Sequence, residues 1–208
     1  MNIYDWVKGN YIELFGAITG VIYVFLEIRQ NIWLWPVGIV TSAVYIWVFF
    51  SSKFYADMSL QAYYLIISIL GWYWWLGGIF LRKGEGEKGS GKILKISHIR
   101  MKTMATLTCV FFVLYAILWA VLSKLTDSPV PAWDSFITSL SVIATWMLAR
   151  KIYEHWYLWI VVNTVSAVIF VVKGLYPTVI LYSVYGIMSF AGLIEWRKVF
   201  RKEAEIKG

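Results

Sequence analysis

The chain has 208 residues, of which 60% are hydrophobic, 19% aromatic and only 15% charged, and its formal net charge is +7. A water-soluble domain of this length has too little interior to hide that much apolar surface, so a soluble enzyme or cytosolic binding module is excluded. The basic residues sit at the ends of apolar runs, which makes the charge a membrane-topology signal and argues against a nucleic-acid partner.

Seven segments approach the roughly 17–25 apolar residues that a helix needs to cross a ~30 Å hydrocarbon core. In chain order they are residues 10–26, 32–50, 58–80, 103–123, 135–149, 156–172 and 178–196, the fifth being short. The stretch 1–10 lacks a basic n-region and no small-residue cleavage site follows Leu14–Leu26, so the first span is expected to be retained. Between the third and fourth spans, Arg82–Lys102 is rich in Gly, Lys and Glu and reads as a flexible linker. Within it, residues 86–92 nearly match a phosphate-binding loop. The match fails at Ile93, where a Ser or Thr should hold magnesium. The fourth span holds the lone cysteine, Cys109, so no intrachain disulfide can form. Ser123–Asp134, with Pro129 and Pro131, reads as an ordered turn.

Alternate loops carry fifteen Lys and Arg on one side against Lys8, Lys53, Lys124 and Lys173 on the other. Cytoplasmic loops accumulate such residues. The N-terminus is therefore expected outside and the C-terminus in the cytoplasm.

Two apolar stretches resemble one another. Setting Trp35 on Trp159 also sets residues 42–44 on 166–168. After a three-residue gap, Tyr55, Tyr64, Ser68, Gly71 and Trp75 fall on Tyr176, Tyr185, Ser189, Gly192 and Trp196. With the first and fifth spans added, the pattern is three helices, a connecting helix and three helices. Parallel repeats of this kind mark transporter folds that place a solute site between related halves. The expected class is an all-α membrane protein with a 3+1+3 parallel repeat. Its parts are a first repeat (1–81), a cytoplasmic linker (82–102), a connecting helix with outer loop (103–133) and a second repeat with its tail (134–208).

Chemistry-bearing residues gather on single helical faces. Trp156, Trp159 and Asn163 are spaced i, i+3, i+7; Gln61, Tyr64, Ser68, Gly71 and Trp75 share another face, and Tyr182, Tyr185, Ser189, Gly192 and Trp196 repeat it. Small residues at such positions let helices approach closely, so Ser68, Gly71, Ser189 and Gly192 read as packing. Trp and Tyr also collect in interfacial belts. An amide inside a span, by contrast, must find a partner in a helix or in a ligand. On this alignment Asn163 faces Ile39 and Gln61 faces Tyr182. The scaffold is thus nearly symmetric and the polar groups are not, as an asymmetric solute would require; helix-to-helix hydrogen bonding is the alternative. No carboxylate or histidine falls near a span centre, which disfavours proton or sodium coupling, and neither a metal nor another cofactor is expected. His155 is placed at the cytoplasmic interface and His98 in the linker.

At residues Trp33-Leu-Trp35-Pro36-Val-Gly38, Tyr55-Ala-Asp57, Gln61-Ala-Tyr-Tyr64, Gly71-Trp72-Tyr-Trp-Trp75, Trp156-x-x-Trp159-x-x-x-Asn163 and Lys173-Gly-Leu-Tyr176 the chain resembles the PnuC family of bacterial vitamin transporters. The resemblance implies a SWEET-like architecture and facilitated diffusion across the inner membrane. It implies an unphosphorylated vitamin, nicotinamide riboside or else thiamine, trapped inside by a cytoplasmic kinase. It further implies a homo-oligomer, often a trimer, in the lipid bilayer, and no enzymatic activity. The family's riboside motif carries over onto Trp156, Trp159 and Asn163. Trp35, Gln61, Tyr64, Tyr182 and Tyr185 complete the expected binding set. Tryptophan faces attract cationic aromatic rings by roughly 0.5–2 kcal/mol each.

Overall fold

The computed structural model describes residues 11–53, 55–83, 94–126 and 129–205. Residues 1–10, expected not to form a cleavable leader, and the near-match to a phosphate loop at 86–92 lie outside them. Among the described residues seven helices follow in order: α1 (Tyr11–Ile28), α2 (Leu34–Ser51), α3 (Tyr55–Lys83), α4 (Met101–Leu125), α5 (Pro131–Ala149), α6 (His155–Val172) and α7 (Tyr176–Glu205). The protein is an all-helical, multi-pass membrane protein. Among the described residues α2, α4, α5, α6 and α7 are each long and apolar enough to cross a bilayer, while α1 contributes a shorter apolar stretch, Leu14–Ile28.

The helix ends depart from the sequence reading in ways with local causes. The short fifth span becomes a 19-residue helix because Pro131 sits in its first turn, where a missing N–H costs nothing and the ring presets φ. At its far end α7 continues through the charged segment Arg197–Glu205, since Lys, Arg and Glu are good helix formers once a span has nucleated the turn. The expected linker is also shorter. The third helix runs to Lys83, and residues 94–100 are pinned rather than loose. There Ser97 N–H donates to the Lys151 carbonyl at 2.9 Å and Tyr153 N–H to the Ser97 carbonyl at 3.2 Å. The Glu154 carboxylate accepts from Ile99 N–H at 3.1 Å and pairs with His98.

The chain divides into two compact units, one ending at Leu76 and the other beginning at Gly77. In the first, α1 packs on α2. The Tyr45 hydroxyl donates to the Ile12 carbonyl at 3.3 Å, and its ring covers Gly16 so closely that a Cβ there would overlap it. In the second unit α4, α5, α6 and α7 pack in succession. Leu107 and Phe111 of α4 lie against a buried cluster of Ile143, Met147 and Ile152. No residue of α4 is itself buried, as an apolar helix facing lipid allows.

Equivalent landmarks recur at one constant separation of 121 residues. Helices α2 and α6 begin at 34 and 155 and end at 51 and 172, and α3 and α7 begin at 55 and 176. Gln30 and Lys151 share a left-handed φ of 52°, and Lys53 (62°) matches Gly174 (70°). The turn bonds match as well. Asn31 N–H donates to the Leu26 carbonyl and Ile152 N–H to the Met147 carbonyl, both at 2.9 Å. No gap is needed. The pairing of Trp35 with Trp159 is therefore corrected: Trp35 corresponds to Trp156, Gly38 to Trp159, and Ser42, not Ile39, to Asn163. The three-letter match at 42–44 and 166–168 was coincidence among small apolar residues.

Candidate functional site

The second unit holds most of the expected site. Its floor is the start of α6, where His155 is fully buried. The imidazole Nδ1 lies 2.7 Å from the Ile152 carbonyl. A carbonyl only accepts, so Nδ1 carries the proton. The imidazole packs on Trp156 and Trp196 at centroid distances of 4.7 and 4.8 Å. Trp156 is 1% exposed and meets Trp196 edge-on at 6.0 Å and 80°. Its indole fills the space left by Gly192, where any Cβ would overlap the ring. Trp156 thus locks α6 to α7.

One and two turns further along α6 stand Trp159, half-buried, and Asn163, 5% exposed. The Asn163 amide donates to the Ser189 hydroxyl at 3.1 Å, and that hydroxyl donates to the Tyr185 carbonyl at 2.8 Å. Gly186 stands opposite, where a Cβ would lie 3.9 Å from the Asn163 Cβ, an ordinary contact. Tyr182 meets Tyr185 edge-on at 6.0 Å and lies against Phe170 at 5.2 Å. One side of the Asn163 amide therefore serves helix-to-helix bonding. Trp159 differs: its indole N–H is buried without a hydrogen-bond partner, as are those of Trp156 and Trp35. An unmet buried donor costs about 1–3 kcal/mol.

In the first unit Trp35 is fully buried, fills the space above Gly71 and meets Trp75 edge-on at 5.3 Å and 89°. This is the same lock as Trp156, Gly192 and Trp196. The packing reading of both glycines is thereby explained: each receives an indole. Gln61 and Tyr64 are half-buried on α3, with Tyr64 tilted against Tyr63 at 5.6 Å. Ser68 is 3% exposed and lies beside Gly38, where a Cβ would come within 2.9 Å of its hydroxyl and 3.0 Å of the Tyr23 ring.

Above the lock the two units part. Gly38 and Tyr23 correspond at the 121-residue separation to Trp159 and Ala144, and Ala144 is fully buried. Bulk is exchanged between two neighbouring helices, so the second unit can carry an indole where the first must have no side chain. The misaligned repeat concealed this exchange; gapless alignment would have found it. Among the described residues no group of three His, Cys, Asp or Glu could hold a metal ion.

Comparison with known proteins places this arrangement. A family model described as "Nicotinamide mononucleotide transporter" matches residues 10–198. Nicotinamide riboside transporter PnuC of Escherichia coli (strain K12) is 27% identical over 203 residues, covering 90% of this chain and 85% of its own. Riboflavin/roseoflavin transporter RibM of Streptomyces davaonensis is 25% identical, with 88% and 83% covered. A crystal structure of the vitamin B3 transporter PnuC superposes with a TM-score of 0.71 at 22% identity, covering 96% of this chain and 86% of that one.

Proposed function

Because the chain belongs to the nicotinamide mononucleotide transporter family, within which its relatives include the PnuC proteins, and is a membrane transporter rather than an enzyme, we propose that it takes up unphosphorylated nicotinamide riboside by facilitated diffusion. The observation that carries this reading is Trp159. It supplies a π-face and a buried, unmet N–H donor, in a place where the otherwise matching first unit has glycine. A cationic pyridinium ring is attracted to the indole face, and a ribose hydroxyl can accept from its N–H. Asn163, anchored by Ser189, presents the rest of its amide to the polar arm.

The unphosphorylated form is favoured because no Arg or Lys is fully buried among the described residues, and the partly buried Lys151 lies in the α5–α6 turn rather than within a span, so a phosphate would enter without a counter-charge. Uncoupled transport fits the distribution of acids. Glu27 is buried, yet it lies in the last turn of α1 rather than mid-span. Accumulation then depends on phosphorylation by a cytoplasmic kinase. The bias of Lys and Arg puts the C-terminal side of α7 in the cytoplasm of a bacterial inner membrane, with the chain assembled as a homo-oligomer.

Riboflavin is the second reading, favoured by the resemblance to RibM, since a neutral flat ring also stacks on tryptophan. Counterflow in sealed vesicles with nicotinamide riboside, nicotinamide mononucleotide, thiamine and riboflavin decides between them. The riboside should exchange without ATP or an ion gradient and displace the others. Preference for riboflavin or thiamine would replace the substrate and keep the transporter. Uphill uptake driven by an imposed ion gradient, with no kinase enclosed, would defeat facilitated diffusion.

A further inference from the structure

The start of α6 is held by residues from outside the repeat. At the 121-residue separation Ile152, Tyr153 and Glu154 correspond to Asn31, Ile32 and Trp33. The first unit closes its turn with a side chain of its own, the Asn31 carboxamide oxygen accepting from the Trp33 N–H at 3.0 Å. Ile152 has no side-chain acceptor to offer. It is buried instead in the cluster with Ile143 and Met147, against which Ile99 and Leu158 pack. In place of the lost bond the second unit has bonds to residues 97–99, which precede α4 and fall outside both copies of the hairpin.

Two paths lead from these residues to the tryptophans. Along the backbone, the Tyr153 N–H donates to the Ser97 carbonyl, and the Tyr153 carbonyl accepts from the Trp156 N–H at 3.3 Å. Through side chains the tie is Glu154. It is the N-cap of α6 and yet makes no side-chain capping bond. Its carboxylate accepts from the Ile99 N–H at 3.1 Å and pairs with His98, whose ring stacks on Tyr153 at 5.9 Å. The Glu154 side chain is only 14% exposed, so these contacts stand where hydration would otherwise be. Capping does not explain a glutamate here, since Asp, Asn, Ser and Thr serve that purpose better. Because a helix moves as a rod, a displacement at its N-cap is carried along to Trp159 and Asn163.

We propose that Glu154 is a positioning residue for solute recognition: by tying the N-cap of α6 to residues 98 and 99, it sets where the Trp159 indole and the Asn163 amide stand. This rests on the reading of those two residues as solute contacts. The test is titration of the full chain in detergent with nicotinamide riboside, well below the unfolding midpoint of each variant, so that folded protein alone is read. Glu154→Ala cuts both side-chain ties. A displaced contact weakens binding by about as much as one lost hydrogen bond, so Kd should rise roughly three- to tenfold. Glu154→Gln keeps an acceptor for the Ile99 N–H and gives up only a pair with His98, which is 63% exposed; its Kd should return to within about twofold of wild type. Glu195→Ala, which removes an exposed carboxylate from α7, should also stay within about twofold. If Glu154→Ala does not fold, Glu154→Asp replaces it: aspartate caps a helix well but is one methylene too short for the tie, and Kd should still rise about threefold. If the wild type does not bind the riboside, the proposed substrate fails, and the same order of losses is expected with whichever of thiamine and riboflavin exchanges in vesicles. A lowered unfolding midpoint with unchanged Kd in Glu154→Ala would make the residue merely structural and overturn the proposal. No recovery in Glu154→Gln, or an equal loss in Glu195→Ala, overturns it as well.

Discussion

The hairpins α2–α3 and α6–α7 are built to one plan and differ where it matters. Both begin with a buried tryptophan pressed into a glycine and crossed edge-on by a second tryptophan. Both close with a left-handed residue, Lys53 or Gly174. One turn above the lock, the first unit has Gly38 under Tyr23 and the second has Trp159 with Ala144. Two turns above it, Ser42 is replaced by Asn163. A repeated scaffold can thus stay fixed at the positions that set helix spacing while exchanging volume and hydrogen-bonding groups at those available to a solute.

The largest effect should come from making the second unit resemble the first at its point of greatest difference. Trp159→Gly removes the indole and leaves its space unfilled. Loss of the cation–π face, worth about 0.5–2 kcal/mol, together with the N–H donor, worth about 1–3 kcal/mol, should weaken binding of the riboside by roughly tenfold to a thousandfold in a titration that saturates the wild type. Retained affinity would place the solute elsewhere.

Gly192→Ala and Gly71→Ala challenge the shared lock instead. Each Cβ overlaps an indole that is itself fully buried, and overpacking of this kind costs about 1–3 kcal/mol. Thermal unfolding in detergent should show comparable losses for the two variants. A large loss in one only would mean that the locks are not equivalent.

Asn163→Ser gives α6 the residue that α2 carries at the matching position. The shorter side chain leaves Ser189 without its donor and the solute without an amide, so affinity should fall by the ~1–2 kcal/mol of one or two hydrogen bonds. Unchanged affinity with reduced thermal stability would assign the amide wholly to helix packing. Gln61→Leu is the companion in the first unit, expected to weaken binding by no more than a similar amount.

The smallest effect sharpens the comparison of the turns. Lys53→Gly supplies at the first turn what Gly174 supplies at the second, and should stabilise the protein by about 1 kcal/mol by relieving a left-handed side chain. Lys151→Gly should act in the same direction for a second reason. Burial holds the Lys151 ammonium below its ordinary pKa, partly opposed by Glu203. The folded state therefore binds fewer protons there than the unfolded one. Wild-type stability should rise as pH climbs from that lowered value toward 10.5, and the variant should lose that slope. A scan of unfolding midpoint against pH for both proteins checks it.

Seven apolar runs, the bias of Lys and Arg and the spacing of Trp156, Trp159 and Asn163 were legible directly, because hydrocarbon solvent demands long uninterrupted apolar helices and helical periodicity alone decides which residues share a face. The amino-acid order also marked Gly71 and Gly192 as sites of close approach. It could not say what approached them, since Trp35 and Trp156 lie 36 residues away in each hairpin. The register of the repeat likewise required three dimensions. Apolar spans draw on so few residue types that a gapped match competes with the correct one, whereas the left-handed turns at Gln30 and Lys151 admit a single alignment. The burial of His155 and the pinning of residues 94–100 were decided by tertiary contacts alone. Residues 94–100 are held by the Lys151 and Tyr153 backbone groups and by the Glu154 carboxylate, partners that only the fold brings beside them.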